Sequence, residues 1–174
     1  MSEPATGPRP THSAVIEFCT HDGAETRALG AAVAAAVHPG QVIALIGDLG
    51  AGKTTFVQGL AAGLGYTGQV TSPTFILVNE HPLPNRRRLI HIDAYRLGDV
   101  GAAALEEAAT FGLDELFDAE DAIIAIEWSE RVAAALPDDY LLVELQATGA
   151  DERTIRIHAL GGQSGAVLAR LTRN

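Results

Sequence analysis

Lys53 is the one lysine among twelve basic residues, the other eleven being arginines, so whatever bias favoured arginine elsewhere did not act there. It belongs to the run Gly47-Asp48-Leu49-Gly50-Ala51-Gly52-Lys53-Thr54, which fits the spacing G-x-x-x-x-G-K-[ST]. Glycines in such a loop let successive backbone N–H groups face an anion, and the following helix adds positive potential at its N-terminus. Lys53 then reaches the β- and γ-phosphates as a point charge, a task for which the planar fork of arginine is the wrong shape, and the Thr54 hydroxyl joins a Mg²⁺ shell. The competing reading is a tight glycine turn with no ligand. Asp48, inside the loop, serves equally as a local cap for backbone N–H groups or as a substrate contact.

Phosphate chemistry with a divalent metal also needs carboxylates. Two apolar runs end in one: Leu89-Ile90-His91-Ile92-Asp93 and Ile123-Ile124-Ala125-Ile126-Glu127. An acid that closes an apolar run belongs at the carboxyl edge of a strand, where α/β sheets bind ligands. Asp93 is the candidate for holding the metal, and Glu127 for polarising water or sharing the metal shell. A helix cap, or an ion pair with Arg96 or Arg131, is the structural alternative for either acid. Trp128 fills core or lies beside the nucleotide. Ser72 or Thr74, in Thr71-Ser72-Pro73-Thr74-Phe75, could sense a γ-phosphate through a hydroxyl, although these residues are also ordinary turn material.

The elements that position these groups alternate. Strands are expected over 13–18, 41–46, 75–78, 89–92, 122–126, 140–145 and 154–157, the last two antiparallel, and helices over 22–37, 54–64, around 102–110 and over 129–136. The acidic stretch 112–122 is read as half helical. Taking turns in this way gives an α/β fold, a sheet with helices on both faces. Residues 1–12, with three prolines, read as a disordered lead-in. One domain is expected over 13–160, followed by an extension over 161–174 with room for a short helix.

Composition narrows the function classes. Of 174 residues 47% are apolar and 5% aromatic, the balance of a globular domain. No apolar run approaches the roughly 20 residues that span a bilayer, and no basic-then-apolar leader opens the chain, so no membrane contact and a cytoplasmic location are expected. A single cysteine, Cys19, excludes an internal disulfide and a multi-cysteine zinc site; closing an apolar run, it is expected to be buried and inert. Twenty-two acids against twelve bases give a net charge of −10, which repels nucleic acid. Arg86, Arg87 and Arg88 are the one basic cluster, a solvated face or a docking patch.

Four blocks together are more specific than the loop alone: Gly47 to Thr55 (G-D-L-G-A-G-K-T-T), Val70 to Phe75 (V-T-S-P-T-F), His91 to Leu97 (H-I-D-A-Y-R-L) and Glu127-Trp128. In this order they resemble the bacterial TsaE (YjeE) family of tRNA threonylcarbamoyladenosine biosynthesis proteins, from about Glu25 to about Leu160. The resemblance implies a P-loop NTPase fold with a mixed sheet. It implies an ATPase that acts with TsaB and TsaD in making N6-threonylcarbamoyladenosine in tRNAs that read codons beginning with A, with tRNA reached only through that complex. ATP and Mg²⁺ are the implied cofactors, with Gly47 to Thr55 around the phosphates and Lys53 and Thr54 at phosphate and metal. Asp93 and Glu127 flank metal and water, Thr74 belongs to a switch-like loop, and Trp128 lies beside them. The chain departs from the family's pattern at Ser129, where a proline is frequent, in extra alanines between Gly98 and Thr110, and in the tail past Gly161. A nucleotide-dependent scaffold with incidental hydrolysis, or a small-molecule kinase, would use the same loop.

Overall fold

Two runs, Val42–Ile46 (β2) and Ala122–Glu127 (β5), are buried almost throughout. Strands covered on both faces belong in the parallel centre of a sheet, and β2 pairs in parallel with β5. The computed structural model describes residues 14–72, 78–97 and 112–173. Around that pair, Ala14–Thr20 (β1), Val78–Pro82 (β3), Arg88–Asp93 (β4), Leu141–Ala147 (β6) and Arg153–Ala159 (β7) complete one sheet of order β1-β7-β6-β2-β5-β4-β3. β4 and β6 run parallel to their central neighbours, whereas β3, β7 and β1 are antiparallel to theirs. The sheet is mixed, as expected.

Parity sorts the side chains. Ile43, Leu45, Leu89, Ile123 and Ala125 face one core, shared with the helices Gly23–Ala36 (α1), Lys53–Gly63 (α2) and, near the C-terminus, Gly162–Leu171 (α4). Val42, Ile90, Ile92, Ile124 and Ile126 face the other, closed by Leu113–Phe117 (α3) and the segment after β5. Helices therefore cover both faces. α1 begins at a side-chain cap, the Asp22 carboxylate accepting the Glu25 N–H at 2.8 Å. It packs tightly on α2, and any side chain at Gly59 would collide with the backbone of Arg27.

Several expectations change in detail. Ser129–Ala135 is a 3-10 helix with non-helical geometry at Val132, although its alanines favour an α-helix. It carries the chain from β5 past β2 to β6, and the steeper rise of about 2 Å per residue covers more ground than an α-helix would. The strand expected over 75–78 is described only from Val78 and continues to Pro82; residues 73–77, with Thr74, and the helix expected around 102–110 lie outside the described residues. Cys19 is exposed, not buried: on edge strand β1 the alternation turns Ile16 and Phe18 towards the core and the intervening residues outward. In the arginine cluster, Arg88 is bound to Glu80 and Asp121 at 3.0 and 3.1 Å. No helix among the described residues is long and apolar enough to cross a membrane.

Candidate nucleotide site

The loop between β2 and α2 closes on itself through Lys53. Gly52 adopts φ 104° immediately before the helix, a left-handed geometry that favours glycine. From the first turn of α2 the Lys53 ammonium folds back and donates to the carbonyls of Gly47 at 2.5 Å and Asp48 at 2.9 Å, while lying 3.8 Å from the centroid of the Trp128 ring. The side chain is buried. Burial pulls its pKa below the ordinary lysine value, opposed by the negative charges of Glu127, Glu130, Asp93 and Asp48. Asp48 contributes through its backbone, whose carbonyl also accepts the Ala51 N–H at 3.0 Å. Leu49 projects from the loop at 80% exposure.

The two strand-end acids are cross-strand partners in the β4–β5 ladder. Both are buried, at 3% exposure, and they hold different neighbours. Glu127 accepts the Thr54 hydroxyl on both oxygens, at 2.8 and 3.0 Å, and its Oε1 lies 2.8 Å from Nε2 of His91. Asp93 accepts the Ser72 hydroxyl at 2.6 Å and the Tyr95 N–H at 2.9 Å. The hydroxyl expected to enter a metal shell is thus bonded to Glu127, which stands beside Thr54, whereas Asp93 is held by Ser72 and the Tyr95 N–H.

Leu49, Gly50, Gly52, Lys53, Thr54, Thr55, Asp93, Glu127 and Trp128 all line one cavity of about 330 Å³, joined by Ser72 and Tyr95. Gly47, Asp48 and Ala51 stand behind it: the first two supply carbonyls to Lys53, and Ala51 is buried in the core. Sequence reasoning missed two residues. His91 lies inside an apolar run and shows itself only by sharing strand parity with the acid two residues on. Arg153, at the start of β7, donates from Nε to the Ala51 carbonyl at 3.0 Å and from Nη2 to the Gly50 carbonyl at 3.2 Å; nothing in the sequence joins positions so far apart. A hydroxyl and two carboxylates are the hard oxygen donors that Mg²⁺ takes alongside phosphate and water, so the donor set fits that ion.

A family model described as "Threonylcarbamoyl adenosine biosynthesis protein TsaE" matches residues 20–155, a span that includes the loop, both acids and Arg153. The chain belongs to the TsaE family. The TsaE protein of Bacillus subtilis is 37% identical over 162 residues, covering 91% of this chain and 95% of that one. The TsaE protein of Streptomyces coelicolor is 40% identical over 140 residues, with 78% and 90% covered. The crystal structure of Bacillus subtilis YdiB superposes with a TM-score of 0.77 at 33% identity, over 93% of this chain and 97% of that one. The TsaE likeness thus spans sheet, loop and both strand-end acids together.

Proposed function

We propose that this protein binds ATP with Mg²⁺ in the loop cavity, hydrolyses it, and thereby drives the threonylcarbamoyladenosine modification of tRNA together with TsaB and TsaD. One observation carries the nucleotide part: the hydroxyl of Thr54, next to Lys53 at the head of α2, is bonded to a buried carboxylate at the end of the adjacent parallel strand. Family membership carries the tRNA part.

In this reading Lys53 exchanges its two loop carbonyls for phosphate oxygens, and the N–H groups at the start of α2 face the same anion. Thr54, Glu127 and Asp93 would hold Mg²⁺, which when bound neutralises charge on the phosphates. Glu127, freed on one oxygen when Thr54 turns to the metal, orients water. Trp128 packs beside the Lys53 ammonium and keeps that side of the cavity dry. Thr74 belongs to the same switch-like segment as Ser72, whose hydroxyl bonds Asp93. With a net charge of −10 the chain leaves tRNA contact to its partners, and works in the cytoplasm where its tRNA is modified.

The test is modification of tRNA in a mixture of TsaB, TsaD and this protein, wild type or Lys53→Ala, with phosphate release measured in parallel. Sustained modification and phosphate release without any added acceptor are expected for the wild type alone. Sustained modification by the alanine variant would support a scaffold whose hydrolysis is incidental. Phosphate transfer that waits for a small-molecule acceptor would support a kinase. Tight binding of tRNA to the isolated chain at physiological salt would reject the charge argument.

A further inference from the structure

The polar groups behind the nucleotide cavity converge on His91. Its side chain is fully buried, and its Nδ1 has no hydrogen-bond partner among the described residues. A leucine would fill an apolar strand at this position without desolvating a ring nitrogen. The imidazole nonetheless makes one short contact, Nε2 to Glu127 Oε1 at 2.8 Å.

Strand geometry explains how that contact forms. His91, Asp93, Ala125 and Glu127 share the face that looks towards α2, and the ladder sets His91 opposite Ala125 and Asp93 opposite Glu127. Ala125 is small enough for the ring to lean across it towards the next same-face position, a diagonal that aromatic side chains can bridge. On its other side the ring meets His81, centroid to centroid 6.3 Å away, and Tyr66 closes on His81 at 4.7 Å. Imidazole rotation is thereby restricted, and water is kept from that side.

Glu127 needs such a partner. It is buried, and its side-chain donors among the described residues are Thr54 and His91. The Thr54 hydroxyl lines the cavity and is drawn into nucleotide binding, whereas His91 lies behind the cavity wall. We propose that His91 is a positioning residue: its Nε2–H holds Oε1 of Glu127 throughout the nucleotide cycle and leaves Oε2 aimed at the cavity. This rests on the reading of Glu127 as a carboxylate of the nucleotide site.

The test compares His91→Leu with His91→Gln, whose amide nitrogen can occupy the place of Nε2 and still donate. Single-turnover ATP hydrolysis by the full chain at saturating Mg²⁺ is expected to fall about tenfold in the leucine variant and to recover most of that in the glutamine variant, with nucleotide affinity within about twofold of wild type in both. In a Glu127→Gln background His91→Leu should add less than about twofold, because the two side chains act as one unit. Wild-type turnover in a folded leucine variant, equal loss in both variants, or full additivity with Glu127→Gln would overturn the proposal. If His91→Leu does not fold, ¹⁵N–¹H spectra of the histidine-labelled wild type decide: a proton on Nε2 whose resonance moves in Glu127→Gln supports the bond, and a proton on Nδ1 overturns it. That spectrum is independent of ATPase activity, so absence of hydrolysis in every sample would sink the proposed function while the tautomer still judged the placement of Glu127.

Discussion

The parallel centre of the sheet and its antiparallel flank use polar residues in opposite ways. In β4 and β5 the polar side chains His91, Asp93 and Glu127 are buried and point to one place at the carboxyl edge. In β1, β6 and β7 they form pairs on exposed or half-exposed faces, Glu17 with Arg156 at 2.7 Å and Glu144 with His158 at 2.9 Å. Pairs of the second kind add little to stability because water screens them. Groups of the first kind are costly to bury and survive because their contacts are specific. The flank reaches into the centre through Arg153, which grips the loop from its outer side.

That contrast sets the order of expected effects. Lys53→Ala and Lys53→Arg should both remain folded by circular dichroism and lower ATP hydrolysis by about a hundredfold or more, the scale of losing a charge that meets the transition state. Near-normal activity in the arginine variant would refute the argument from the sole lysine. Glu127→Gln should lower turnover by about a hundredfold, and Asp93→Asn by about tenfold with a higher Mg²⁺ requirement, since an amide is the weaker oxygen ligand. A magnesium titration with the two effects interchanged would make Glu127 the principal metal carboxylate and reject the division expected from the strand endings.

Arg153→Ala tests a side-chain crossing between the regions. Loss of its bonds to the Gly50 and Ala51 carbonyls should weaken nucleotide binding about fivefold in a titration, on the scale of one or two hydrogen bonds. Arg156→Ala, which removes a solvent-exposed pair three residues further along the same strand, should leave nucleotide binding unchanged and move the melting temperature by less than about 2 °C. Equal effects of these two variants would erase the distinction between flank and site.

The smallest expected effect concerns acid. His81 is buried, and burial together with the neighbouring His91 holds its pKa below the ordinary histidine value. The unfolded chain then takes up a proton before the folded one does, so this contribution to stability is present above about pH 6.5 and is lost as pH falls through the folded value. His21, on the surface and raised by Glu25, works with the opposite sign. The melting temperature of His81→Gln should therefore decline less than that of wild type between about pH 7 and pH 5; parallel curves would reject a buried neutral His81.

Much of the centre was legible in the sequence because local chemistry specifies it. A strand, a glycine loop and a helix follow one another from Val42 to Gly63, and Asp93 and Glu127 close their apolar runs where the strands end. What was not legible depends on partners distant along the chain. Nothing local says that β6 lies beside β2, that Arg153 meets the loop, or that Thr54 chooses Glu127 over Asp93. Cys19 was misread because an apolar run looks alike on an edge strand and in a core, and only the pairing of β1 with β7 reveals its outward face. The helix expected over 129–136 is present as Ser129–Ala135, and its 3-10 form is a detail the alanine content does not specify.

The pairing of β1 has a consequence for how the chain is made. Ala14 pairs with Ala159, and Thr20 with Arg153, so among the described residues the strand made earliest pairs with the one made latest. At about 5–20 residues per second that partner follows roughly seven to thirty seconds later. Meanwhile α1 can dock on α2, and β2, β4 and β5 can assemble the nucleotide edge. Until the hairpin of β6 and β7 arrives, β1, with Val15, Ile16 and Phe18, lacks the strand it pairs with in the finished sheet, so slower translation lengthens the time its open edge is exposed.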